Sequence, residues 1–164
     1  MSELIDHLAA LGYEATHPDT PVPADYVDQV EEALGVLPAD YRRFLEAYPR
    51  SAGIPGDAFL IPVEDARSSG TLSWSELYGV DLKPGWGLIR INRDLEEHGL
   101  DGMIIIGHDG YGNFYYMAID DPQGPVFFKD RDKGEGSSRE DLAPVRASFA
   151  EFILASNGHA AASG

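Results

Sequence analysis

The residues best suited to chemistry fall in one short stretch. His108 and Asp109 are adjacent, Asn113 follows, and Asp120 and Asp121 close the next segment. An imidazole with carboxylates is the donor set of a divalent-metal site or of a general base. The same residue types also build tight turns, because short Asp and Asn side chains bond the local backbone and glycine takes positive φ. Gly107, Gly110 and Gly112 punctuate this stretch, so the turn reading is the stronger of the two. A metal-dependent enzyme using His108 and Asp109 is the weaker alternative.

Other signatures are absent or incomplete. There is no Gly-Lys-Ser/Thr phosphate loop, no His-Glu-x-x-His and no Gly-x-Ser-x-Gly. Gly110-Tyr111-Gly112 lacks the third glycine of a dinucleotide fingerprint and precedes a strand pattern rather than a helix. The run Asp130-Arg131-Asp132-Lys133-Gly134-Glu135 begins like a calcium loop, but glycine stands where an oxygen ligand is needed and Glu135 where the turn needs glycine. A solvated loop accounts for it better. The five histidines (His7, His17, His98, His108, His159) have no metal-ligand spacing. No metal and no cofactor is therefore expected.

Elements that could position these residues are legible. Leu4, Ile5, Leu8 and Leu11 predict a short helix over 2–11, ended by Gly12. Three prolines between Thr16 and Pro23 predict an extended connector. Asp25 is placed at the start of a second helix, with Tyr26, Val27, Val30 and Leu34 on one side and Gly35 as its stop. Pro38 opens a third, whose apolar stripe is Tyr41, Phe44, Leu45 and Tyr48. Phe59–Val63 reads as a strand, Ser73–Tyr78 as a helical turn and Gly85–Ile91 as a turn into a strand. Asn92 is placed as the cap of a short helix running to His98. Met103–Gly107, Phe114–Ile119 and Val126–Phe128 predict three strands of an antiparallel meander, the first two apolar on both faces. Asp130–Asp141 reads as an exposed loop, and Ser148–Leu154 as a closing helix with Phe149, Phe152 and Ile153 at helical spacing. The predicted class is α+β, with N-terminal helices and a C-terminal helix packed on one face of a mainly antiparallel, twisted sheet.

The 164 residues fit one domain, and zero cysteines exclude disulfide scaffolds, thiolate zinc sites and cysteine nucleophiles. The net charge of −16 is spread along the chain, −7 over 1–50, −4 over 51–100 and −5 over 101–164. Such a field repels nucleic acid and anionic lipid, and it speeds encounter with a basic protein. The longest apolar run, Met103–Ile106, is far short of the ~20 residues of a membrane span. The acidic start Met1-Ser2-Glu3 lacks the order of a signal peptide. A cytoplasmic protein without nucleic-acid or membrane contact, monomeric or weakly dimeric, is expected.

The ordered set of segments resembles the SUKH superfamily, which contains the Smi/Knr-type proteins. Leu34-Gly35-Val36-Leu37-Pro38-Ala39-Asp40-Tyr41-Arg42-Arg43-Phe44-Leu45 is similar to its N-terminal signature, and Ile106 through Asn113 resembles its central glycine-rich turn. Asp120, Gly124-Pro125-Val126-Phe127 and Ser148-Phe149-Ala150-Glu151-Phe152-Ile153 match later segments in order. The matched residues read as scaffold: Leu37, Pro38, Tyr41, Phe44 and Leu45 as a buried helix face with its start, and Gly107, Gly110 and Gly112 as a strand reversal. The expected organisation is a helix and connector over 1–24, one domain over 25–155 and a flexible tail over 156–164. The resemblance implies a non-enzymatic binding protein, either an immunity protein that blocks a toxin domain, often a nuclease, or a Smi/Knr-type regulatory module. The expected contact patch is Asp109, Tyr111, Asp120, Asp121 and Asp130, acids beside an aromatic that would meet a basic toxin surface.

Overall fold

The computed structural model describes residues 2–15, 17–53, 59–62, 71–81, 87–94, 102–109, 113–129 and 142–158. Helices form where apolar residues recur every three or four positions. In α1 (Ser2–Ala10) these are Leu4 and Leu8, both buried, and Gly12 at φ 82° ends the turn that follows. In α2 (Tyr26–Leu34) they are Tyr26 and Val30, with Gly35 at φ 118° as the stop. In α3 (Ala39–Ala47) they are Tyr41, Phe44 and Leu45, and Pro38 stands just ahead of the first turn. In α5 (Phe149–Leu154) they are Phe149, Phe152 and Ile153, and Ser148 Oγ accepts the Glu151 N–H as a true N-cap.

The meander forms as expected. Strands β6 (Met103–His108), β7 (Phe114–Ala118) and β8 (Val126–Lys129) pair antiparallel in sequence, and β9 (Ala143–Arg146) adds an edge strand that tolerates Pro144. On the other side of β6 lie β5 (Glu76–Leu77), β2 (Ala52–Gly53) and β1 (Glu14–Ala15), completing a seven-stranded antiparallel sheet. A second sheet contains β3 (Phe59–Pro62), β4 (Thr71–Trp74) and β10 (Asn157–Gly158). Consecutive residues Met103–Gly107 and Tyr115–Ala118 are buried. Successive strand side chains point to opposite faces, so the centre of the sheet is covered on both, as the apolar runs of these two strands predict.

Aromatic rings join the helices to the sheet. Phe149 meets Tyr41 at 4.9 Å and Phe44 at 5.1 Å, and Phe152 meets Trp74 at 5.7 Å and Tyr115 at 5.6 Å. The apolar stripe of α3 is thus core.

Three expectations are corrected. Ser73–Tyr78 is two strand segments, because the backbone around Ser75 finds partners on both β3 and β6: the Ser75 and Tyr78 N–H groups donate to His108 and Ile106 carbonyls. Gly85–Ile91 does not run into a strand. Leu88–Asp94 is a helix, α4, with Leu88 and Ile91 buried one turn apart. Its start is satisfied from a distance, by Gly79 O on the Leu88 N–H and Asp81 Oδ1 on the Arg90 N–H, so no local cap advertises it. Asn92 lies inside that helix rather than capping one. The expected tail also contributes to the fold: Ser156 is fully buried and Asn157–Gly158 pairs with β3. Residues 95–98 and 130–141 lie outside the described residues.

Candidate functional site

The turn that carries His108 and Asp109 is closed by its own side chains. Asp109 is only 6% exposed. Its carboxylate accepts the Asn113 N–H at 3.2 Å and the Asn113 side-chain amide at 2.7 Å, while Ser75 Oγ donates to its carbonyl at 3.1 Å. This is an Asx-type closure, in which the carboxylate replaces backbone partners. His108 stands opposite Glu76 in the β5–β6 register, with Nε2 and Oε1 3.3 Å apart and the Tyr78 ring 5.6 Å from the imidazole. Among the described residues no group of three or more His, Asp or Glu is arranged to hold a metal ion.

Gly107 has a different purpose from the one expected. It lies in β6 beside a bulge, without positive φ. A Cβ there would sit 2.5 Å from the Glu76 carbonyl oxygen and 2.8 Å from Leu77 Cδ2. Close approach of β5, rather than a reversal, requires the glycine. Gly110, Tyr111, Gly112 and Asp130 lie outside the described residues.

The expected contact patch is divided. Asp109 precedes β7, whereas Asp120 and Asp121 follow it, and five residues of strand span roughly 17 Å. Asp109 is committed to its turn, but Asp120 and Asp121 are exposed. Asp121 Oδ1 accepts the Gln123 N–H at 2.9 Å, and Gly124 at φ 64° completes the turn against the Pro38 ring. The same turn packs on the 35–38 loop, since Gly35 lies against Ile119 Cδ1. Val36, on that loop, is 78% exposed. An apolar side chain thus projects from the loop packed against a turn with two exposed acidic residues.

A second acidic region lies on α2 and α3. Arg42 reaches three carboxylates: Asp28 at 3.2 Å, Glu46 at 3.3 Å, and Glu31. The hydrogen bond to Asp28, with these charges, raises the Arg42 pKa. Glu31 also accepts the Leu37 N–H at 2.9 Å and so ties the 35–38 loop to α2. The signal was present in the sequence as Asp28 and Glu31 one turn apart on one helix and the Arg42/Glu46 spacing on the next. What could not be read was that they converge.

These features define a class. The protein is an α+β domain of net charge −16, with no described helix long and apolar enough to cross a membrane. The chain belongs to the SMI1 / KNR4 family (SUKH-1), whose family model matches residues 21–155. No curated protein matches the chain.

Proposed function

We propose that this protein is a non-enzymatic, cytoplasmic binding domain of the immunity type, which neutralises a cognate toxin by covering a basic surface. The observation that carries the reading is the imbalance of charge: −16 overall, with one arginine answering three carboxylates on α2 and α3. A toxin that cleaves nucleic acid needs a cationic surface to hold phosphates. An anionic platform fits such a surface and meets it quickly. The same charge opposes stable self-association, and a monomer or weak dimer follows. Asp120 and Asp121 beside exposed Val36 supply the expected contact on one side of the molecule.

Co-expression with the product of the neighbouring gene tests this. Rescue of growth, together with a 1:1 complex whose association slows steeply with added salt, is the expected result. Absence of any toxin among the neighbours, with no protection, overturns it. Membership in a family named for SMI1 and KNR4 favours a second reading, a regulatory module that binds a housekeeping protein. An isolated gene whose product binds such a protein without toxicity would select that reading.

A further inference from the structure

Between the start of α2 and the outer side of α3 runs an open groove of about 320 Å³. Ligand pockets begin at roughly 300 Å³, so it has room for one long side chain and part of its neighbour. Its apolar lining includes Val22, Pro23, Leu45 and Pro49, and its charged lining is Asp25, Asp28, Glu46 and Arg42. Three carboxylates and one guanidinium thus line it.

Arg42 is held by three carboxylates, one of them outside the groove. Glu31, which does not line it, takes Nη1, while Asp28 and Glu46 each use a single oxygen on Arg42. The second oxygen of Asp28 and of Glu46 accepts no hydrogen bond among the described residues. Among the described residues the Asp25 carboxylate bonds only Gln29, through Oδ1. Acceptors are therefore left over beside an apolar surface.

We infer that this groove docks a partner-protein segment presenting an arginine flanked by apolar side chains. The inference rests on the binding-domain reading above and names the chemistry of one contact. Charge selects the occupant. A metal ion needs a set of ligands placed around it, and no group of three or more carboxylates or imidazoles is arranged to hold one among the described residues. A second copy brings another −16. A guanidinium fits, because its planar fork bonds carboxylates in pairs and its stem lies on apolar surface.

The test uses the full chain, labelled with ¹⁵N, and the peptide acetyl-Gly-Leu-Arg-Leu-Gly-amide. Amide shifts confined to residues 22–28 and 42–49 are expected, with no such shifts when glutamate replaces the arginine of the peptide. The double variant Asp28→Asn/Glu46→Gln should bind the peptide about tenfold more weakly, as loss of two charge-assisted bonds implies. The double variant Glu3→Gln/Glu32→Gln changes net charge equally at exposed positions outside the groove lining, and should bind within about twofold of the parent. Equal weakening in both variants, shifts elsewhere on the surface, no binding, or concentration-dependent dimerisation through 22–28 overturns the inference. Unchanged binding of a cognate toxin by Asp28→Asn/Glu46→Gln would sink the groove and leave the binding-domain reading standing. Peptide binding without any partner protein would do the reverse.

Discussion

The Asn92 carboxamide hydrogen-bonds both backbone groups of Ile105, accepting its N–H at 2.8 Å and donating to its carbonyl at 3.0 Å. A side chain of α4 thereby occupies the place of a neighbouring strand. β5 is only two residues long and pairs with Gly107 and His108, which leaves Ile105 beyond its reach. Ile105 is 2% exposed, so water cannot satisfy these groups. The third bond of the amide, to the Leu88 carbonyl at 2.9 Å, fixes its rotamer.

Asn92→Ala is expected to lower stability by about 2–4 kcal/mol, since it strands a buried donor and a buried acceptor together. Urea unfolding measures it. A loss under about 0.5 kcal/mol would show that the contact contributes nothing net.

Gly107→Ala is expected to be at least as severe. The added methyl group meets the Glu76 backbone carbonyl rather than a flexible side chain, so β5 must separate from β6. A drop of about 2–4 kcal/mol is expected. Proton exchange should quicken at Tyr78, whose N–H bonds Ile106, before it quickens at Met117. Uniform exchange across both strands would contradict the assigned cause.

Alkaline pH should unfold the protein in one step. Burial pushes the phenols of Tyr13, Tyr41, Tyr115, Tyr26 and Tyr78 above the ordinary tyrosine value of 10.0. The folded state keeps these protons while the unfolded chain releases them. Stability is therefore intact below pH 10 and falls above it. Each phenol contributes about 1.4 kcal/mol per pH unit, or roughly 7 kcal/mol for the five, which exhausts an ordinary domain's ~5–15 kcal/mol quickly. Tyrosinate absorbance and loss of circular dichroism should coincide. Gradual absorbance growth with the fold retained would refute the prediction.

Both ends of the chain should matter although the family match spans 21–155. Leu4, Leu8 and Tyr13 belong to the core, and His7 Nε2 lies 2.8 Å from the Ser156 carbonyl oxygen. Ser156 Oγ accepts the Trp74 indole N–H at 2.9 Å and donates to the Phe152 carbonyl at 2.8 Å. Ser156→Ala is expected to reduce stability by about 1–2 kcal/mol. Removal of residues 1–20 withdraws three buried side chains, worth roughly 2 kcal/mol each. Thermal melts check both; an unchanged midpoint after the deletion would place α1 outside the cooperative unit.

The sequence by itself determined what periodicity and local chemistry can encode. The stripes of α2, α3 and α5 appear as buried faces, and Met103–Gly107 as a strand covered on both sides. The anionic character follows from counting alone. The tertiary structure decided what depends on partners distant in the chain. Thr71–Trp74 became strand because β3 was there to meet it, and Glu76–Leu77 because backbone groups of Ile106 and His108 were. Residues 88–94 became helix because Asp81 and Gly79 cap its start. Asp109 carries the same charge as Asp120, yet one is buried by its turn and the other is exposed at the far end of β7. Charge is a property of composition, whereas exposure is fixed only when the chain closes on itself.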